Sequence, residues 1–307
     1  MTSRTDLFSK NIFLNLWGLA ILLILILIFQ LVGYFISIYF LKFIYHISLE
    51  DVKSLMNHPD GSALGVNIGR WSNFIQFAFY MGVPAFIFTF INGSKIGDFT
   101  QFKNKPNWKK ISLAIITGIT ALPVVNVITT LTQQFPWPSS LRYFAQKLEF
   151  TRSCIFENML DMHSFNELLI CIFILAFLPA LLEEYVFRGL VLKIGLTQFT
   201  KAKRALFFQA FIFTILHLSL YEFLGIFMMG SVLGVIAYRN NSLWYNGITH
   251  FTFNAVTVIL HYILLLQFEK TGVMGNPESF LNNFFVAIPA SLIFGFTFYN
   301  LTKKNNE

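Results

Sequence analysis

Long stretches without a charged residue, each closed by Lys, Arg, Asp or Glu, recur along this chain, and a helix needs about 20 such residues to cross the hydrocarbon core of a bilayer. The clearest run from Ile12 to Leu41, Trp71 to Asn92, Ile111 to Leu131 and Leu243 to Leu266, with Phe280 to Thr302 following. Three are shorter: Leu168 to Leu182, Ala205 to Tyr221 and Phe223 to Tyr238. Together they predict an all-α polytopic membrane protein of about eight transmembrane helices. Only 12% of the residues are charged and 55% are hydrophobic, against about a quarter charged in a soluble domain. Water is not the main solvent of such a chain. The run from Ile12 is too long for a cleaved signal and reads as a retained first span.

The net charge of +7 does not point to nucleic acid, because the cations sit in short connections between apolar runs rather than on a stripe. Eight spans with the N-terminus inside place 15 Lys and Arg on the inner side and 7 on the outer, among them Lys42, Arg70, Arg152 and Lys270. That bias predicts both termini in the cytoplasm. The outer segment from Phe135 to Phe165 carries Leu141, Phe144 and Leu148 at helical spacing, which fits either an interfacial helix or an ordinary surface helix. Cys154 and Cys171 have no metal-type spacing and predict no disulfide framework. The expected organisation is residues 1–165 with three spans and the outer loop, 166–266 with the core helices, and 267–307 with the last span and a polar tail.

Shorter runs with polar residues belong where a helix is shielded from lipid, so the chemistry is expected in the middle of the chain, inside the bundle. The segment Leu-Leu-Glu-Glu-Tyr-Val-Phe-Arg-Gly, 181 to 189, continues an apolar run. A charged side chain at the bilayer centre costs at least about 2.5–3.5 kcal/mol, which makes an intramembrane ionisable group a functional candidate. Glu184 and Arg188 stand at i and i+4, in the favoured order for an ion pair. Glu183 is turned about 100° away on an α-helix and is left available as a general base toward water. The competing reading is an interfacial anchor, with Arg188 meeting the cytoplasm at a helix end.

Two further elements stand on other runs. Phe213 and His217 close one of them, and a histidine there, taken alone, is ordinarily a packing or hydrogen-bonding residue. His250 and Asn254 share one helix face, where two donors can hold a polarised carbonyl or its oxyanion. Asn246 and His261 fall near the same stripe. At 1.5 Å per residue, Glu183 lies ~15 Å from Lys193, His217 ~20 Å from Arg204 and His250 ~14 Å from Asn241, a common layer on the cytoplasmic side of the middle.

Taken together, Glu183-Glu184-Tyr-Val-Phe-Arg188, Phe213 to His217 and His250 to Asn254 resemble the CAAX protease and bacteriocin-processing family of membrane proteins, which includes the type II CAAX prenyl endopeptidases. The resemblance covers roughly residues 166 to 260. It implies an intramembrane endopeptidase in which Glu183 activates water, His217 assists, and His250 and Asn254 stabilise the oxyanion. Glu184, Arg188 and Phe213 then position the site. The metal requirement stays open: Glu183, His217 and His250 are the candidate ligands for zinc, although no His-Glu-x-x-His helix is present. A membrane-associated peptide is the implied substrate and a bacterial cytoplasmic membrane the implied location. Two other classes compete: a non-catalytic protein for bacteriocin immunity or partner binding on the same scaffold, and a transporter, since buried Glu, Arg and His also build ion pathways.

Overall fold

The computed structural model describes residues 14–100, 106–273, 275 and 281–303. Ile12, Phe280, the cations Arg4, Lys10, Lys103, Lys105 and Lys304, and the tail beyond Lys303 lie outside the described residues. The fold is all α, with the helices α1 (Leu16–Tyr45), α2 (Leu49–Asn57), α3 (Ala63–Ile91), α4 (Ile96–Thr100) and α5 (Trp108–Gln134) in its first half. The second half holds α6 (Ser139–Met159), α7 (Phe165–Gln198), α8 (Ala202–Leu216), α9 (Phe223–Asn240), α10 (Trp244–Thr271) and α11 (Phe284–Thr302). Side-chain caps mark many of the starts: Asn15, Ser62, Asn107, Ser164 and Asn283 each accept a backbone N–H of the first turn, the pairing that an exposed helix start requires.

Among the described residues seven helices are long and apolar enough to cross a bilayer: α1, α3, α5, α7, α9, α10 and α11. This is an integral membrane protein. Two of the sequence expectations are redrawn. The short run Leu168 to Leu182 does not end at the charges; it is the first half of a helix of 34 residues. The helix continues through Glu183, Glu184 and Arg188 because Glu184 and Arg188 find partners inside the protein. The run Ala205 to Tyr221 gives α8, which has 15 residues and stops before His217. At 1.5 Å per residue α8 is about 22 Å long, shorter than a lipid-exposed span needs, and it packs beside α9 and the end of α7.

The loops sort onto two faces. On one, Thr197 Oγ1 donates to the Leu14 carbonyl at 2.6 Å, Lys193 Nζ to the Asp98 carbonyl at 2.5 Å, and Lys110 Nζ to Asn240 Oδ1 at 2.8 Å. Asn240 also donates to the Leu301 carbonyl, and the Leu243 N–H to the Thr100 carbonyl. On the opposite face Arg70 reaches the end of α6, Arg152 of α6 pairs with Glu149 and Glu222, Ser219 donates to Glu149 at 3.0 Å, and His163 meets Glu269. The short α8 therefore starts on the first face, and the loop after it, 217–222, lies on the second. The chain makes eight transits, one of them in a helix too short to span alone.

Two breaks in α-helical geometry have a local cause. The π-helical segments Ala78–Gly82 and Phe173–Phe177 contain Tyr80 and Leu175, each four residues before a proline, Pro84 and Pro179. A proline ring clashes with that carbonyl and supplies no N–H to it, so the helix widens by a residue. A third segment, Glu184–Val191, contains no proline and coincides with the charged cluster.

Arg70, which the charge pattern assigned to the outer surface, is only 2% exposed. It donates through Nε to the Met159 carbonyl at 2.9 Å and through Nη2 to the Asp161 carbonyl at 2.8 Å. Its charge thus satisfies the open carbonyl end of α6 and ties that outer helix to α3. Leu141, Phe144 and Leu148 of α6 stay exposed, as a helix lying in the interface requires.

Two outcomes follow from this packing. A Cβ on Gly118 of α5 would stand 2.6 Å from the Thr249 carbonyl oxygen and 2.9 Å from Thr252 Cβ on α10. Gly118→Ala must push α10 away just before His250, and a loss of about 1–3 kcal/mol in detergent unfolding is expected, whereas an unchanged midpoint would show that the helices do not touch there. His163, outside the spans, hydrogen-bonds Glu269 and stands by Asp161, and these carboxylates raise its pKa above the usual 6.5. The raised value means that the latch stabilises the fold fully below about pH 6.5 and is lost as pH rises through the folded-state pKa. An NMR titration should give a midpoint above the ordinary histidine value that falls in Glu269→Gln.

Candidate active site

Pro179 and the π-helical turn before it carry α7 to Glu183 at the centre of the bundle. The largest apolar core wraps that stretch, with Leu22 and Ile26 of α1, Phe77 and Phe88 of α3, and Leu182 and Phe187 of α7 among its members. Glu183, Glu184, Arg188 and His250 are 7%, 2%, 2% and 6% exposed. Arg188 does not meet an interface, and the anchor reading of the cluster fails on that point.

The α-to-π junction falls between the two glutamates: Glu183 ends the α-helical part and Glu184 begins the π-helical one. Their surroundings differ accordingly. Glu184 Oε1 accepts from Arg188 Nη1 at 2.8 Å and from His250 Nδ1 at 2.7 Å. Its Oε2 accepts from Asn246 Nδ2 at 2.5 Å. Three donors from two helices converge on one carboxylate. Arg188 in turn donates to the Gly230 carbonyl of α9 at 3.2 Å and lies over the Phe213 ring, 4.5 Å from its centroid, a cation–π contact with α8.

Glu183 has no hydrogen bond among the described residues. Its nearest charged neighbour on another helix is His250, whose Nε2 stands 3.9 Å from Glu183 Oε2, too far for a direct hydrogen bond.

The partners fix the tautomers of both histidines. A carboxylate oxygen can only accept, so His250 carries its proton on Nδ1 toward Glu184 and directs Nε2 toward Glu183. A backbone carbonyl likewise only accepts, and the Phe213 carbonyl 2.7 Å from His217 Nδ1 leaves His217 Nε2 as the free nitrogen. The His217 ring packs on Phe213 at 4.4 Å between centroids and caps α8, after which Leu218 takes a left-handed φ of 50°, turning the chain away.

The helices thus join Glu183, Glu184, Arg188, Phe213 and His250 into one contact network. His217 enters it through Phe213, without a direct contact to either glutamate. Asn254 lies one turn beyond His250 on α10, half-buried, and its side chain has no hydrogen bond among the described residues. Asn246, which the sequence placed near the stripe, is a partner of Glu184; its spacing of four before His250 was the available signal. The Gly230 carbonyl had none. Among the described residues no three His, Cys, Asp or Glu stand together as a metal-holding group; Glu183 and His250 face each other as a pair, and His261 lies elsewhere on α10.

Comparison with curated proteins and with solved structures yields no match in either. Residues 165–256 match a family model, type II CAAX prenyl endopeptidase Rce1-like, and Glu183, Glu184, Arg188, Phe213, His217, His250 and Asn254 all fall inside the matched stretch. The matched stretch, from the start of α7 into α10, is similar to the Rce1-like type II CAAX prenyl endopeptidases.

Proposed function

We propose that this protein is an intramembrane endopeptidase that hydrolyses a peptide bond of a membrane-associated protein or peptide, with Glu183 as general base. The observation that carries the reading is the contrast between two adjacent buried carboxylates. Glu184 is saturated by Arg188, His250 and Asn246, while Glu183 has no hydrogen bond of its own and faces an imidazole nitrogen 3.9 Å away. Burying a carboxylate without a partner is costly, and a catalytic base is a use that repays it.

The chemistry runs as follows. Glu183 takes a proton from water as the oxygen attacks the peptide carbonyl, and the carbonyl oxygen gains the negative charge. Asn254 donates to that oxyanion through its carboxamide N–H, and His250 does so through Nε2 once protonated, the resulting imidazolium being stabilised by Glu184 at Nδ1. The tetrahedral species collapses with cleavage of the C–N bond. The proton held by Glu183 passes to the leaving nitrogen, and His217, linked to the cluster through Phe213, assists that transfer through its free Nε2. Arg188 holds Glu184 in place through its 2.8 Å ion pair, and Phe213 holds Arg188 and the end of α8 in register. Were zinc bound, Glu183 and His250 are the facing residues that would hold it, and it would supply Lewis-acid activation of the water.

The family match to residues 165–256 supports the reaction class, and the excess of Lys and Arg on the first face supports a cytoplasmic location for both termini. A bacterial cytoplasmic membrane fits the same reading.

Purified protein in liposomes with a membrane-anchored peptide reporter tests the assignment. Glu183→Gln should lower cleavage by about 10²–10⁴-fold and Asn254→Ala by about 10²–10³-fold, both with unchanged thermal unfolding. Full cleavage by both Glu183→Gln and His217→Ala would sink the proposal. Glu184→Gln should behave differently, losing thermal stability as well as activity, because it leaves Arg188 buried without its counter-charge.

A further inference from the structure

At the start of α8, on the face that also gathers Lys193 and Lys110, the surface is concave. Phe199, Phe207, Phe208 and Phe211 line a groove of about 370 Å³ together with Lys203 and Arg204. Phe207 and Phe211 stack nearly parallel, 10° apart at 6.1 Å, and make a flat wall along one side of α8. Phe227 of α9 braces Phe207 edge-on at 5.4 Å, and Phe208 meets Phe199 edge-on at the same separation. Phe207 is 61% exposed and Phe211 38%, so the rings face outward from a helix of the bundle, where the neighbour is lipid.

The two cations are not explained by the protein. Neither Lys203 nor Arg204 has a carboxylate partner among the described residues, and both are exposed. They occupy the first turn of α8, where the helix dipole disfavours positive charge. Cations placed there against helix preference, at the mouth of a phenylalanine-lined groove and at the level of the loops, match a partner with an anionic head and an apolar chain.

We infer that this groove binds one anionic phospholipid, its phosphate between Lys203 and Arg204 and an acyl chain along Phe207 and Phe211. A phosphate oxygen accepts from the ammonium and, in bidentate fashion, from the guanidinium, while the chain fills the concavity along α8 beside Phe199 at the end of α7. Basic pockets between helices on a loop-bearing face are the usual chemistry of such lipid sites. The site is separate from Glu183 and His250 and stands whether or not the chain cleaves peptides. It does bear on α8, whose other end carries His217.

The full chain, purified in a neutral detergent, is unfolded thermally with added phosphatidylglycerol, phosphatidylcholine or inorganic phosphate. Phosphatidylglycerol should raise Tm by about 5 °C at saturation, phosphatidylcholine and phosphate by far less. The double variant Lys203→Ala/Arg204→Ala should lose most of the shift, and Lys109→Ala, an exposed cation on the same face, should keep it. Native mass spectrometry should count one retained phosphatidylglycerol on the parent protein and none on the double variant, and it decides the matter if that variant unfolds too early to compare. Equal shifts with phosphatidylcholine, a full shift from phosphate alone, or an unchanged shift and lipid count in the double variant would each overturn the inference.

Discussion

The carboxylate of Glu184 is where the helices of this bundle are fastened to one another. Its two oxygens accept hydrogen bonds from Arg188 on its own helix and from His250 and Asn246 on α10, and through Arg188 the network extends to the Gly230 carbonyl on α9 and the Phe213 ring on α8. Four helices thus meet through one anion. Burying such a pair sacrifices the hydration of both ions, and that loss is offset only when nearly every donor is used. Saturation of Glu184 is therefore what allows charges to sit in the middle of α7 at all. It also explains why the helix does not stop at Leu182: Glu184 and Arg188 form a charge-paired unit in which Arg188 Nη1 and Nη2 are hydrogen-bonded and Nε is left without a partner among the described residues.

The π-helical segment that begins at Glu184 gives the two glutamates different fates. In an uninterrupted α-helix, neighbours in sequence are separated by a fixed rotation of about 100°. A widened turn shifts everything after the junction relative to everything before it, so Glu184 and Arg188 move as a pair into the network while Glu183 keeps the register of the preceding α-helix. The earlier π-helical turns arise from Pro84 and Pro179. This one has no proline to cause it, and the bonds made by Glu184 and Arg188 to α9 and α10 are the interactions that offset its weaker backbone geometry.

Apolar runs and charge spacing carried the architecture because lipid imposes them directly: a span must be apolar over a set length, so α1, α3, α5, α10 and α11 were legible as runs. The Glu184–Arg188 pair was legible because i and i+4 lie together in either helical form. What escaped the sequence was whatever depended on a partner from elsewhere in the chain. Arg70 looks like a loop cation until Met159 and Asp161 are found to present carbonyls to it. The length of α7 depends on His250 and Asn246, and the early end of α8 on a left-handed Leu218 with nothing in its composition to announce it. Of the candidate residues, Glu183 stands 3.9 Å from His250 and Phe213 lies against Arg188, while the route by which His217 joins them, through the Phe213 ring, has no signature in spacing alone.

A division of labour follows from these bonds. Groups whose hydrogen-bonding capacity is used up, Glu184 above all, cannot take part in a reaction without breaking the bundle, and they hold position. Groups with capacity left over are Glu183, the Nε2 atoms of His250 and His217, and the carboxamide of Asn254. The free nitrogens are free because the other nitrogen of each ring is held, by Glu184 in one case and by the Phe213 carbonyl in the other. Fixing one side of an imidazole sets both its tautomer and its direction, so the same bonds that stabilise the fold also set where the free nitrogens point. The loop after His217 is held in turn from outside the bundle, by Ser219 and Glu222 against Glu149 and Arg152 of α6. The outer helix thereby acts on the interior: moving α6 would turn the end of α8, and with it the one site histidine that no glutamate holds.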